Sequence, residues 1–136
     1  LDADEIRERF AAMQVARLAT ASDDGQPHLV PIVFALAGDV IYTAIDWKPK
    51  TTRHLRRLAN IAANPQAAVL VDHYADEWTQ LWWARADGAA RIAEGDEAQR
   101  AIELLTARYV QYATAPPPGP VIAIDVRTWT GWTARA

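Results

Sequence analysis

The chain of 136 residues has no cysteine, two lysines, one methionine and one serine. Without cysteine there is neither a disulfide framework nor a thiolate metal site, and a cytoplasmic setting is expected. The one serine, Ser22, lies in the turn signal Ser22-Asp-Asp-Gly25. No Gly-x-Ser-x-Gly elbow, Walker-type loop or dinucleotide fingerprint occurs anywhere. His28, His54 and His73 stand too far apart for metal-ligand spacing, so no metal is expected. No run approaches the ~20 apolar residues of a membrane span. The first nine residues read as an acidic helix rather than a signal peptide. With 17 acidic against 14 basic residues and a net charge of −3, the composition does not favour broad nucleic-acid binding. What remains is one domain over residues 1–136, with 51% hydrophobic residues to build a core.

The charge that is present is placed unevenly. Lys48-Pro-Lys-Thr-Thr-Arg53-His-Leu-Arg56-Arg57 holds both lysines, five of the 14 basic residues and no acid. A cationic island on an otherwise acidic protein points to an anionic ligand. Its Thr-Thr pair is a good helix N-cap, and a helix N-terminus offers free N–H groups and a positive dipole end to a phosphate. Lys50 and Lys48 would act as mobile point charges, whereas Arg53 would grip phosphate or carboxylate bidentately.

Periodicity predicts helices over residues 4–13, about 53–62 and 96–112. The middle helix is expected to bury Leu55, Leu58, Ala59 and Ala62 and to expose Arg53, Arg56, Arg57 and Asn60. Apolar runs predict strands over residues 15–21, 28–36, 40–45, 67–72 and 81–86. Asp87-Gly88 is read as a tight turn into a further strand over 89–93. After a proline loop at 115–120, strands over 121–126 and 129–134 close the chain. Hairpins without regular βαβ alternation predict a mainly β fold, an antiparallel sheet or barrel with helices packed outside.

Six tryptophans are present: Trp47, Trp78, Trp82, Trp83, Trp129 and Trp132. Adjacent Trp82 and Trp83 in one strand must point to opposite faces. One fills a core, and the other meets a partner, a ligand or solvent. With no nucleophile or metal constellation, any hard chemistry belongs to a bound organic cofactor.

The run Arg17-Leu-Ala-Thr-Ala-Ser-Asp-Asp-Gly-Gln-Pro-His-Leu-Val-Pro-Ile-Val-Phe34 resembles the opening hairpin of the pyridoxamine 5′-phosphate oxidase-like flavoproteins. The order that follows is also similar: a strand ending at Ile45-Asp46, a lysine-bearing loop, a helix, Asn64-Pro65, and a last strand with Thr130-Gly-Trp132. Lys48-Pro-Lys-Thr-Thr-Arg53 together with Leu81-Trp-Trp-Ala-Arg-Ala-Asp-Gly88 looks most like the actinobacterial branch that uses the deazaflavin coenzyme F420. The resemblance covers essentially the whole chain. It implies a split β-barrel homodimer with two cofactor grooves, each built by both subunits, and hydride transfer to or from a small conjugated substrate. Lys48, Lys50, Thr51, Thr52, Arg53 and Arg57 would hold the phosphate and acidic tail. Pro31, Ile32 and Val33 would contact the ring system, with Tyr42 and Thr43 beside the ribityl chain and His28 near the groove. From the other subunit would come Trp82 or Trp83, Arg85 and Trp129. FMN is the alternative cofactor, and a non-catalytic cofactor carrier the alternative role. Ending at Trp132-Thr-Ala-Arg135, the sequence shows no arginine-rich pyridoxal-phosphate segment, so vitamin B6 oxidation is not expected.

Overall fold

A computed structural model describes residues 1–45 and 52–134, with the backbone alone for 52–55. Helix α1 (Ala3–Ala12) starts in a capping box. Glu5 N–H donates to Asp2 Oδ1 at 2.9 Å, and Asp2 N–H donates to Glu5 Oε1 at 3.2 Å. Strands β1 (Ala16–Ala21), β2 (Pro27–Ile32), β3 (Ala35–Ala37) and β4 (Val40–Ala44) follow, joined by short turns. Helix α2 (Thr52–Ala63) leads to β5 (Gln66–His73), a 3-10 turn at Trp78–Gln80, and β6 (Trp82–Ala93). Helices α3 (Gly95–Arg108) and α4 (Gln111–Thr114) precede β7 (Val121–Thr133).

All seven strands pair antiparallel in one sheet of order β2-β1-β5-β6-β7-β4-β3. The two edge strands, β2 and β3, are neighbours in sequence, so the sheet curls into an open barrel whose ends meet at Val33 and Phe34. Period-2 alternation sorts the residues into two cores. Ile41 of β4 and Ile45 just past its end, Val69 and Val71 of β5, and Ile122 and Ile124 of β7 fill the interior. Phe10 of α1 plugs that interior, packing edge-on against Phe34 and Trp129. On the outside, Tyr42, Ala44, Val121 and Ala123 pack under Ala101 and Leu105 of α3 and Tyr109 just beyond it.

Four expectations change. Asp87-Gly88 is not a turn, and the two strands expected around it are one strand, β6. The register shifts there instead, because Asp87 faces Thr128 while Gly88 faces Val126. Arg127 is thereby the extra residue of a bulge, where a glycine is needed because the Asp125 carbonyl oxygen lies 2.1 Å from where a Cβ would stand. The last two expected strands likewise form one strand, β7. Conversely, the strand expected over 28–36 breaks in two, and the helix expected to reach Tyr112 stops at Arg108, with Tyr109 in extended conformation.

Helix α2 also turns a different face inward than expected. Asn60 and Ile61 are buried, Arg57 and Leu58 are half-buried, and Ala59 and Ala62 are exposed. Asn60 finds a polar partner inside, its Nδ2 lying 3.5 Å from Thr20 Oγ1. That offsets the cost of burying an amide which the apolar-face rule would send to solvent.

Candidate functional site

Trp47, Lys48, Lys50 and Thr51 lie outside the described residues, as do the side chains of Thr52 and Arg53. The elements flanking that cationic stretch are described. On one side β4 ends at Ala44, and the proline loop pins the next residue, Ile45, by two backbone bonds: Ile45 N–H to the Pro120 carbonyl and Gly119 N–H to the Ile45 carbonyl, both 3.0 Å. A Cβ on Gly119 would stand 2.4 Å from that carbonyl oxygen, so the approach requires glycine. On the other side α2 begins at Thr52. The stretch thus joins a fixed strand end to a helix start.

The two arginines further along separate cleanly. Arg56 is exposed, whereas Arg57 is half-buried on the barrel side of α2, with its Nε out of contact with solvent. Arg57 is therefore not part of a solvated face. His28 sits opposite Thr20 in the β1–β2 ladder, and its Nδ1 is likewise withdrawn from solvent.

Pro31, Ile32 and Val33 run along the free edge of the sheet. Pro31 points outward and is exposed, Ile32 is buried in the interior, and Val33 is half-buried. Tyr42 and Thr43 are both buried and already engaged. Thr43 Oγ1 donates to the Val33 carbonyl at 2.8 Å, and Tyr42 Oη donates to Glu97 Oε2 at 2.8 Å. Burial first, and the carboxylate of Glu97 second, raise the Tyr42 phenol above its usual range. Glu97 is also gripped by a two-pronged Arg91, at 2.6 and 2.8 Å, which in turn holds Asp125 at 2.7 and 3.0 Å. These bonds, Arg91 ahead of Tyr42, lower the Glu97 carboxyl to about 2.

The tryptophans divide by strand parity. Trp82 turns inward, with the guanidinium of Arg9 4.8 Å from its ring centroid. Trp129 is committed to the same interior, against Phe10, and its Nε1 donates to Asp39 Oδ1 at 2.9 Å. Trp83 turns outward beside Arg85, whose guanidinium lies 5.7 Å from its ring centroid, and faces Trp132 across the β6–β7 ladder. Of the set expected from the other subunit, Trp83 and Arg85 are the pair on the outer face.

Pro31, Arg17, Leu70, Arg85 and Thr130 form one row across β2, β1, β5, β6 and β7. Pro31 and Arg85 stand three strand spacings apart, roughly 14 Å along the sheet. Within one chain the Pro31–Val33 edge expected to meet a ring and the Trp83–Arg85 pair therefore do not converge. Two side chains that the sequence did not single out as functional, Arg108 and the hydroxyl of Tyr109, hold the Val33–Phe34 junction. Their partners are backbone groups 74 or more residues away, so no local spacing announces them.

Among the described residues no group of three His, Cys, Asp or Glu is placed to hold a metal, and no helix is long and apolar enough to cross a membrane.

A curled antiparallel sheet, opened at its two edge strands and flanked by helices, is a split β-barrel. The sequence profile of the pyridoxamine 5′-phosphate oxidase family matches residues 3–133, and the chain belongs to that family. Its fold is similar to a conserved hypothetical protein from Mycobacterium tuberculosis, at 23% identity and a TM-score of 0.79, covering 99% of this chain and 86% of that one. A FAD-binding protein from Mesorhizobium loti is similar at 23% identity and 0.73, covering 96% and 92%. The heme storage protein HutZ from Vibrio cholerae is similar at 16% identity and 0.72, covering 96% and 93%. No curated protein sequence matches the chain.

Proposed function

We propose that the chain is an oxidoreductase that binds a flavin-type cofactor, coenzyme F420 ahead of FMN, in grooves between two copies of itself. The observation that carries this reading is the cationic stretch of five bases and no acid, set between a pinned strand end and a helix start. Such a junction suits an elongated anion, because side-chain charges and the helix terminus act together. F420 bears a phosphodiester and several carboxylates, and FMN one phosphate, so the number of cations favours F420.

In this reading Lys48, Lys50, Thr51, Thr52 and Arg53 hold the phosphate and tail. Arg57 supports them from the barrel side of α2, where its half-burial strengthens its field. Pro31, Ile32 and Val33 offer an unpaired strand edge to the ring. The wide separation of Pro31 from Arg85 within one chain favours a second copy as the donor of Trp83 and Arg85. When bound, the cofactor supplies hydride transfer, and the protein orients it against a small conjugated substrate. The family membership supports redox chemistry, and the FAD-binding neighbour supports a flavin-type ligand. The heme storage neighbour keeps a non-catalytic carrier as the second reading.

The test is a titration of the purified chain with F420 and with FMN, followed by quenching of tryptophan fluorescence. F420 is expected to bind more tightly, and Lys50→Ala with Arg53→Ala to weaken it at least tenfold, the loss of about 1.4 kcal/mol. Tighter FMN binding would replace F420 by the alternative. Binding without oxidation of reduced cofactor by any of a panel of quinones would favour the carrier.

A further inference from the structure

The two residues between β2 and β3 are held by side chains instead of by a ladder. The Tyr109 hydroxyl accepts the Phe34 N–H at 3.0 Å, and its single proton is shared between the carbonyls of Phe34 and Gln14, both at 2.9 Å. Arg108 Nη1 donates to the Phe34 carbonyl at 2.8 Å. Its Nη2 donates to the carbonyls of Ala11, at 3.0 Å, and Met13. From the other side, Thr43 Oγ1 donates to the Val33 carbonyl at 2.8 Å. The Arg108 guanidinium also lies 4.6 Å from the Phe34 ring centroid. The C-terminal end of α3 is thus bolted at once to the barrel junction and to the segment after α1.

A guanidinium on neutral carbonyls gives back to desolvation part of what its hydrogen bonds gain. Its planar fork also adds geometry, because it fixes several carbonyls relative to one another. Here the fixed coordinate is the position of Val33 and Phe34 against α3. Those residues continue the edge strand β2, and Val33 with Pro31 and Ile32 of that strand forms the proposed ring-contact edge.

We propose that Tyr109 and Arg108 are positioning residues for the cofactor ring. They act through Phe34 and Val33 and touch no cofactor themselves. The inference rests on the flavin-type reading given above. A strand edge free to shift at its end would present its N–H and carbonyl groups to the ring at varying distances, and a ring held loosely binds more weakly in a less uniform environment. Holding that edge from α3 makes the groove preorganised without placing any further group in it.

The experiment compares Tyr109→Phe and Arg108→Lys with Ile102→Ala, a packing change on α3 away from the junction. Amide hydrogen exchange at Phe34 is read on the cofactor-free protein. Affinity and the visible absorption band are read with FMN and with F420. Tyr109→Phe is expected to speed exchange at Phe34, to weaken binding about fivefold, the worth of one hydrogen bond, and to shift or broaden the absorption band. Arg108→Lys, which keeps the charge but loses the fork, should fall between Tyr109→Phe and the unmodified protein. Ile102→Ala should lower thermal stability while leaving affinity and band unchanged. If the unmodified chain binds neither cofactor, the flavin-type reading fails and this inference with it. If it binds, and Tyr109→Phe matches it in affinity and spectrum, the positioning role alone is overturned.

Discussion

The outer surface of the sheet has two halves built on the same alternation but finished differently. Over β3, β4 and the first part of β7, helix α3 covers the sheet, and the residues beneath it are small or buried: Ala35, Ala44, Val121 and Ala123. The other half, over β2, β1, β5, the first part of β6 and the last part of β7, has no helix on it among the described residues. There Leu29 is 68% and Trp132 44% exposed, Trp83 and Leu70 are half-buried, and Arg17, Arg85, Asp72 and Asp87 stand among them. A helix axis settles close to a sheet only over small side chains, which accounts for the alanines. Large apolar residues mixed with both signs of charge are what an association surface carries. The halves thus separate what holds the protomer together from what the proposed homodimer would use.

Breaking the covered half should have the largest effect. Leu105 is fully buried between α3 and the sheet. Leu105→Ala is expected to cost about 2–5 kcal/mol, for lost burial plus a residual cavity. It should appear as a lower urea midpoint at unchanged slope. A cost within 0.5 kcal/mol would mean that α3 does not hold this half.

The uncovered half should answer differently. Trp132→Ala is expected to leave the unfolding of the isolated protomer nearly unchanged. It should weaken self-association about 30-fold, the equivalent of roughly 2 kcal/mol at an aromatic anchor. Sedimentation velocity over a concentration series measures this. A protomer that stays monomeric throughout before mutation, or a dimer indifferent to the change, removes this half as the interface.

The contrast between the halves was only partly legible in the sequence. Strand parity places Trp82 and Trp83 on opposite faces from spacing alone, and the helical spacing of Ile6, Phe10 and Met13 puts them on the one face of α1 that packs into the core. The mainly β, antiparallel fold follows from the succession of hairpin signals. The Asp87-Gly88 pair misleads because a turn and a bulge both need a residue without Cβ, and only the Asp125 carbonyl across the ladder distinguishes them. The buried face of α2 is misread because Asn60 goes inside to meet Thr20, forty residues away. Nothing local encodes that pairing. For the site, the cationic stretch is visible as composition, whereas the Arg108–Tyr109 junction and the Arg91 network exist only once distant strands are paired.

The smallest expected effect sharpens how α3 is fastened over its half. Arg91 and Tyr42 on the sheet hold Glu97 in the first turn of α3. With its carboxyl lowered from the usual 4.5 to about 2, Glu97 stabilises the fold in its ionised form. That contribution is complete above pH about 4.5 and is lost as pH falls from there through about 2. Glu97→Gln should therefore flatten the acid side of a plot of thermal midpoint against pH within that window, with little change near neutrality beyond a constant offset. The change should be modest, because the Glu97 side chain remains partly open to solvent and its ion pair is screened. The phenol of Tyr42 is shifted the opposite way, upward, so its contribution is present below pH 10 and fades as pH rises past that. Tyr42→Phe should flatten the alkaline side. An unchanged acid limb in Glu97→Gln would mean that apolar packing alone fastens α3. The covered half would then differ from the uncovered one only in having found its partner within the same chain.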